Sequence, residues 1–179
     1  MSKALTIYSS PYGTTKKYAE WIAEELNGEI YSINNLNQSI LKNYDIIIFG
    51  SGLYPGKIKG IDIIIKNYET LKNKKLIIFT CGLADYSKIE HINAIYNRLK
   101  NELAEKIIEN IKIFYFRGGI NYKNLALKHK IMMWIMKKMK LKNGNEKLNE
   151  EDKEFIETYG KEIYFMDKNS IKELLEYCK

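Results

Sequence analysis

Short apolar segments alternate with longer segments of helical periodicity along most of the chain. The apolar segments, which we interpret as strands, cover residues 4–8, 29–33, 45–50, 75–81 and 111–116. Three of them are nearly continuous runs of β-branched or aromatic residues, for example at 46–49 and 76–79. Such runs indicate strands that are covered on both faces, as in a parallel sheet.

Apolar side chains recur at helical spacing between and after these strands. The four stripes consist of Tyr18, Ile22 and Leu26; Ile61, Ile64, Ile65, Tyr68 and Leu71; Ile92, Tyr96, Leu99 and Leu103; and Phe155, Ile156, Tyr159 and Ile163. Segment 34–42 is too short for more than one or two helical turns. Near the end, Ser170 and Glu173 have the spacing of a capping box, which predicts an extra C-terminal helix over about 170–178.

Strands that alternate with helices predict an α/β fold, with a doubly wound parallel sheet of five strands and helices on both faces. Ligands of such sheets bind outside the carboxyl ends of the strands, where the strand order reverses. Loops 9–15, 50–60 and 81–88 leave the sheet at that edge, so we expect a binding site there. Because the 179 residues contain no linker or repeat, we expect a single domain over 1–179.

The first of these loops places Ser10, Gly13, Thr14 and Thr15 directly before a predicted helix. Hydroxyl groups and unpaired backbone N–H groups at a helix N-terminus form a site for an anion. The loop lacks the lysine of a P-loop and the glycine spacing of a dinucleotide fingerprint. Neutral donors of this kind suit a phosphate monoester such as flavin mononucleotide (FMN); the alternative is an ordinary strand-to-helix turn.

Each of the other two loops combines glycine with an aromatic residue. Tyr54 lies among the three glycines of segment 50–56, and Tyr86 follows Gly82 in loop 81–88. Glycine lets the backbone approach a flat ring closely, so the two tyrosines are candidates to flank such a ring. The alternative is that both are plain surface loops, in which the tyrosines make ordinary contacts.

The net charge of +7 comes from one stretch of the chain. Residues 117–145 contain no Asp or Glu and eight basic residues, namely Arg117, Lys123, Lys128, Lys130, Lys137, Lys138, Lys140 and Lys142. Stacking aromatics interleaved with the basic residues, or a known docking motif, would indicate nucleic acid, and neither is present. We therefore expect no nucleic-acid partner.

The remaining composition argues against several protein classes. The apolar start is a short strand rather than a signal peptide, and no apolar run approaches the roughly 20 residues that span a bilayer. Cys81 and Cys178 belong to no spaced motif, and His91 and His129 are the only histidines, so we expect no metal site. Two isolated thiols fit a reducing cytoplasm, where we expect the protein to be.

Residues 7–15, with Ala19 four residues further on, resemble the first strand and the phosphate loop of the flavodoxin family, T-x-T-G-x-T. Ser10 and Tyr12 stand where the family pattern has threonines, and Gly50 after the third strand is also similar. The resemblance implies a flavodoxin-like sheet of order 2-1-3-4-5 with FMN as the cofactor.

Within that family, three segments resemble the flavodoxin-like protoporphyrinogen oxidases (dehydrogenases). Loop 50–57 is similar to their Gly-x-x-x-x-Tyr-Gly loop, segment 117–122 is similar to their Gly-(Ala/Gly)-x-x-Tyr segment, and a long basic insertion follows at about 122–145. The resemblance implies an FMN-dependent oxidoreductase of heme biosynthesis that oxidises protoporphyrinogen IX and passes electrons to a quinone or a redox protein. It implies no catalytic acid or base of the protein.

Two alternatives remain open at this point. The first is an electron carrier of the flavodoxin type that has no dedicated substrate, although carriers usually present an acidic face and this chain is basic. The second is an interaction module that has kept the fold and lost the flavin.

The insertion has two interpretations of its own. Residues 131–136 are apolar around the whole circumference of a helix and have lysines on both sides, so they are expected to be buried in something. One interpretation is that they pack on their own domain, where methionine fills irregular gaps. The other is contact with a partner, a flat apolar macrocycle or a membrane surface, which would place the protein peripherally at the inner face of a membrane.

The candidate cofactor-binding residues all lie in the three loops. They are Ser9, Ser10, Tyr12, Gly13, Thr14 and Thr15 in the first; Ser51, Gly52, Leu53, Tyr54 and Gly56 in the second; and Cys81, Gly82, Leu83 and Tyr86 in the third.

Overall fold

The computed structural model describes residues 2–54, 58–142, 148 and 150–179. The chain divides into two compact units. The first contains the residues up to Gly118 together with Phe165–Lys179, and the second is Gly119–Tyr164. Of the candidate site residues, Gly56 lies outside the described residues.

A five-stranded parallel sheet forms the centre of the first unit. Its strands are β1 (Ala4–Ser9), β2 (Glu29–Ser32), β3 (Ile46–Gly52), β4 (Lys75–Gly82) and β5 (Ile111–Arg117). They are arranged in the order β2-β1-β3-β4-β5, and every neighbouring pair is parallel. This order confirms the predicted doubly wound flavodoxin-like α/β fold.

Eight α-helices accompany the sheet and the second unit within the described residues. They are α1 (Thr14–Glu25), α2 (Asp62–Lys66), α3 (Tyr68–Leu71), α4 (Ile89–Glu102), α5 (Glu105–Ile108), α6 (Leu127–Lys142), α7 (Glu150–Thr158) and α8 (Lys172–Cys178). Short 3-10 helices cover Gln38–Asn43, Tyr122–Asn124 and Lys168–Ile171. The first of these occupies the short connection between β2 and β3, as its length predicts.

The sheet separates two hydrophobic cores, because successive side chains of a strand point to opposite faces. Ile47 of β3 and Ile78 of β4 pack on the face that holds the core residues of α2 to α5. Ile48 and Ile77 pack on the other face, with the core residues of α1 and α8. Every residue of β3 is buried, which explains its continuous apolar run. Each fully buried aliphatic side chain contributes about 1.5–3 kcal/mol to the stability of the sheet.

One predicted helical stripe is interrupted, and two local predictions are wrong, each for an identifiable reason. The stripe over residues 61–71 forms two short helices, because Asn67 lies between α2 and α3 and its side chain donates to the Ile63 carbonyl (2.8 Å). The stripe that ends at Ile163 is helical only to Thr158. Gly160 then adopts a φ of +85°, and Ile163 pairs with Ile120 in a strand.

The second wrong prediction is the capping box at the last helix. The Ser170 hydroxyl donates to the Asp167 carbonyl (2.7 Å) instead of accepting a backbone N–H as an N-cap. Asp167 takes the capping role, because its carboxylate accepts the Asn169 N–H (2.9 Å) at the start of the 3-10 helix that precedes α8.

The second unit is built from an antiparallel pair of strands and two helices. Strands β6 (Gly119–Asn121) and β7 (Glu162–Tyr164) pair with each other, and α6 packs against α7. Lys140 forms an ion pair with Asp152 between these helices, and Lys137 lies 4.3 Å from the centre of the Tyr159 ring. Most of the predicted insertion is therefore helical, while residues 143–145 lie outside the described residues.

Candidate functional site

The carboxyl ends of β1, β3 and β4 lie side by side in the first unit. Ser9 is opposite Ser51, and Gly52 is opposite Cys81. The three predicted loops consequently leave the sheet next to one another. Their common edge is where ligands of doubly wound sheets bind.

The first loop is organised by one serine and one glycine. Gly13 immediately precedes α1 and has a φ of +96°, a conformation that side-chain-bearing residues rarely adopt. The Ser10 hydroxyl accepts the Gly13 N–H (3.0 Å) and so closes the turn. Since Gly13 has no side chain to cap the helix, the first-turn N–H groups of α1 lack a side-chain acceptor there. This end of the helix is electrostatically suited to an anion.

Thr15 carries a polar atom that the protein alone does not satisfy. The residue is only 1% exposed, and no oxygen or nitrogen atom of the described residues pairs with its hydroxyl. The nearby Cys81 thiol is a weak partner, and burial raises the pKa of that thiol to about 12 although the Thr15 hydroxyl partly offsets the increase. An unpaired buried hydroxyl in the first turn of a helix fits the donor set that a phosphate group requires.

The second loop is tied internally and to β4. The Ser51 hydroxyl donates to the Lys59 carbonyl (3.1 Å), so its proton is used within the loop. The Leu53 N–H donates to the Cys81 carbonyl (2.8 Å). A Cβ atom at Gly52 would lie 2.7 Å from the Tyr54 ring, so glycine is required for the ring to approach the backbone.

Tyr54 is in contact with the first loop. Its ring centre lies 5.7 Å from that of Tyr12, in an edge-to-face arrangement. Burial is the main cause that raises the pKa of Tyr54 well above its usual range. The structure thus brings together two of the aromatic residues that were singled out from the sequence.

The third loop places Tyr86 over the other glycine. A Cβ atom at Gly82 would collide with the Tyr86 hydroxyl, which is buried and has no partner among the described residues. The Tyr86 ring lies 5.9 Å from that of Tyr115 on β5. Burial raises the pKa of Tyr86 far above its normal value, so the phenol stays protonated.

Two arginines contact these loops, and neither was predicted from the sequence. The Arg117 guanidinium, at the end of β5, donates to the Leu83 carbonyl (3.2 Å) and stacks 3.8 Å from the centre of the Phe165 ring. The Arg98 guanidinium, on α4, donates to the Tyr54 carbonyl. Arg117 directly follows an apolar run of the sequence, and the strand that this run forms ends at the same edge of the sheet as the loops. The position of Arg117 was therefore a usable signal.

Other kinds of site receive no support from the described part of the chain. It holds no group of three or more His, Cys, Asp or Glu side chains arranged to bind a metal. Cys81 and Cys178 are both buried and unbridged.

Comparisons with known proteins give a consistent result. The family description "Flavodoxin domain" matches residues 5–148. An uncharacterized protein of Methanocaldococcus jannaschii is 36% identical over 126 residues, which cover 67% of this chain and 78% of that protein. A flavodoxin of Maridesulfovibrio salexigens is 32% identical over 126 residues, 63% of this chain and 86% of that protein. The structure of oxidised flavodoxin 1 from Bacillus cereus superposes with a TM-score of 0.38 at 24% identity, over 64% of this chain and 84% of that one.

Proposed function

Because this chain belongs to the flavodoxin family, we propose that its three loops hold FMN at the carboxyl edge of the sheet. Homologues in this family bind FMN, and this chain is a flavodoxin-like FMN-binding protein. The phosphate lies in the first loop in this proposal, and the isoalloxazine ring lies between the second and third.

The observation that carries the phosphate assignment is the buried hydroxyl of Thr15, which has no oxygen or nitrogen partner among the described residues. It would donate to the phosphate together with N–H groups of the first turn of α1, while Ser10 holds the loop closed. A phosphate held by neutral donors and a helix N-terminus needs no lysine or arginine. Of the other first-loop candidates, Ser9 and Thr14 are buried and Gly13 is exposed.

Tyr54 and Tyr86 are the proposed neighbours of the ring. Both are attached to loops whose glycines permit close approach. Bound FMN supplies the electron-transfer chemistry, and the protein orients the ring and limits its contact with water. The pKa of each phenol is raised by burial, so both tyrosines stay neutral and contribute dipoles rather than charge.

We propose that the reaction is the oxidation of protoporphyrinogen IX. Electrons and protons leave the reduced tetrapyrrole, and the electrons pass to a quinone or a redox protein as acceptor. The basic segment 117–145 supports this proposal, because lysines attract the carboxylates of such a macrocycle. We assign no catalytic acid or base to the protein.

A flavodoxin-type electron carrier is the second candidate, since flavodoxins interact with redox-protein partners. An anaerobic assay with reduced protoporphyrinogen and a soluble quinone separates the two. Oxidation that depends on both protein and FMN supports the enzyme. A protein that binds FMN and exchanges electrons with redox proteins, but leaves the porphyrinogen reduced, is a carrier.

The exposed side of α6 supports a membrane surface as a further contact. Leu127, Ile131, Trp134, Ile135 and Met139 recur at helical spacing and are exposed, with Trp134 at 49% and Met139 at 66%. The exposed residues Lys128, Lys138 and Lys142 follow the same spacing on that face, and α6 contains no acidic residue. Apolar and cationic side chains on one face are typical of helices that lie on anionic bilayers.

We therefore propose that α6 contacts an anionic lipid surface. None of the described helices has the length and apolar character to cross a bilayer. Each lysine near anionic lipid contributes about 1 kcal/mol, so Lys128→Gln with Lys142→Gln should weaken vesicle binding about 20- to 30-fold. Flotation with vesicles of anionic or neutral phospholipid measures this, with the exposed pair Lys66→Gln and Lys100→Gln as control. Equal binding to neutral vesicles, or self-association of the protein without lipid, contradicts the proposal.

A further inference from the structure

The second loop is anchored at two points by residues one helical turn apart on α4. The Arg98 guanidinium donates to the Tyr54 carbonyl. The Glu102 carboxylate accepts the Ile58 N–H with both of its oxygens (2.9 and 3.0 Å), further along the same loop. Arg98 and Glu102 also form an ion pair with each other (3.8 Å).

We propose that Arg98 and Glu102 are positioning residues, which fix the second loop relative to the sheet and thereby set its contact with the flavin ring. This inference rests on the proposed binding of FMN. It assigns a function to α4, whose Arg98 contacts the second loop.

The chemistry of the two anchors explains why they can hold a loop. The Glu102 side chain is only 12% exposed, and a carboxylate in that setting requires partners. Hydrogen bonds from a neutral N–H to a carboxylate, or from a guanidinium to a carbonyl, are about twice as strong as bonds between neutral groups. Arg98 thus compensates the charge of Glu102 while it holds the other anchor, so the loss of either residue weakens both.

The anchors act on a loop that is already restrained at its base. The bond from Ser51 to Lys59 closes the base, and the bond from Leu53 to Cys81 ties the start to β4. Arg98 adds a backbone anchor at Tyr54, beside the contact that the Tyr54 ring makes with Tyr12. An ordinary ion pair on a helix surface does not hold the backbone of a loop. Lys16 and Glu20 on α1 form a pair at the same spacing (3.6 Å) in which both side chains are well exposed.

The first experiment requires no flavin. Hydrogen exchange of the Ile58 amide is measured in the apo-protein for wild type, Glu102→Gln and the control Glu90→Gln, an exposed acid on the same helix. We expect about tenfold faster exchange in Glu102→Gln alone, because a neutral acceptor binds the N–H more weakly. Unchanged exchange would overturn the anchor.

The second experiment measures the effect on bound flavin. Arg98→Gln should lower the affinities for FMN and for riboflavin by the same factor, about three- to tenfold, because the loop faces the ring and not the phosphate. The spectrum and midpoint potential of saturated protein should also shift. Arg98→Lys should restore part of each effect, because it keeps the charge without the planar fork. Lys100→Gln, exposed on the same helix, is the control.

The outcomes distinguish the positioning role from fold stability and from the proposed function. Variants that lose only thermal stability and keep wild-type flavin affinity, spectrum and potential would make the pair structural and overturn the inference. A wild-type protein that binds no flavin would contradict the proposed function, and with it the flavin half of this inference. The Ile58 exchange result would then still decide whether the loop is anchored.

Discussion

Replacement of Thr15 by valine should change stability and FMN affinity in opposite directions. The substitution removes a buried hydroxyl that has no oxygen or nitrogen partner within the described part of the chain, and it keeps a side chain of similar shape. An unsatisfied buried polar group costs about 1–3 kcal/mol. Because the Cys81 thiol is a weak partner, we expect the lower end, so the apo-protein should gain about 1 kcal/mol in its free energy of unfolding.

The same change removes a donor from the proposed phosphate site. A hydrogen bond to a charged group contributes about 1.5–3 kcal/mol, so FMN should bind about ten- to a hundredfold more weakly. Riboflavin has no phosphate, and its affinity should stay within about twofold of wild type. A residue with a purely structural role cannot produce this combination of a more stable apo-protein and a selective loss of FMN.

Urea unfolding of the apo-protein and flavin-fluorescence titrations provide the two readouts. Thr6→Val is the matched control, because the Thr6 hydroxyl is equally buried, also has no partner in the residues that the structure describes, and lies in the middle of β1. It should stabilise the apo-protein and leave both flavin affinities unchanged. The reasoning is refuted if Thr15→Val weakens FMN and riboflavin equally, or leaves FMN binding intact.

Three further outcomes follow from individual contacts. Tyr86→Ala should shift the visible spectrum and potential of bound flavin. Tyr86→Phe, which keeps the ring, should leave the stability of the apo-protein unreduced. If both variants give the same flavin spectrum, Tyr86 does not flank the isoalloxazine ring. Because burial raises the Cys81 pKa to about 12, the unfolded state releases that proton first, so stability should fall as pH rises above about 9. The decrease in unfolding free energy with rising pH should be shallower in Cys81→Ala. The same pH dependence in both proteins, measured by urea unfolding, would contradict this prediction. Asp167→Ala should lower the free energy of unfolding by about 1 kcal/mol, and Glu173→Ala should hardly change it. A larger loss of thermal stability in Glu173→Ala than in Asp167→Ala would support the capping box instead.

The central strands β1, β3 and β4 were predictable because their apolar runs are buried on both faces. The prediction stops at Gly50 in the third strand, but β3 continues to Gly52. Glycine indicates a turn when only the sequence is considered. In the sheet, Ser51 and Gly52 are paired with Thr80 and Cys81 of the neighbouring strand, and this pairing maintains the extended conformation.

The errors near the C-terminus arise from patterns that are locally ambiguous. Ile163 continues a helical stripe and is equally suited to a strand, and the left-handed conformation of Gly160 decides between them. Ser170 has the correct spacing for a cap. Asp167, three residues earlier, forms the competing turn. Such competition between adjacent polar residues depends on geometry that spacing does not record.

The loops that form the candidate site were predictable, but the hydrogen bonds that connect them to the rest of the fold were not. Topology alone brings loops 9–15, 50–60 and 81–88 to one edge. The anchor between Tyr54 and Arg98 joins residues 44 positions apart, and nothing in the local sequence of either residue indicates it. The apolar block of α6 was expected to be buried. Met133 is buried, but Trp134 remains half exposed, because packing against α7 uses only one side of the helix.

The most direct test of the account is an equilibrium titration of the wild-type apo-protein with FMN, riboflavin and FAD. The account predicts one tightly bound FMN per chain, with riboflavin weaker because it lacks the phosphate. FAD should also be weaker, because the first loop has no dinucleotide fingerprint. The absence of flavin binding, or an affinity for riboflavin or FAD equal to that for FMN, would contradict a phosphate-binding first loop and the function built on it.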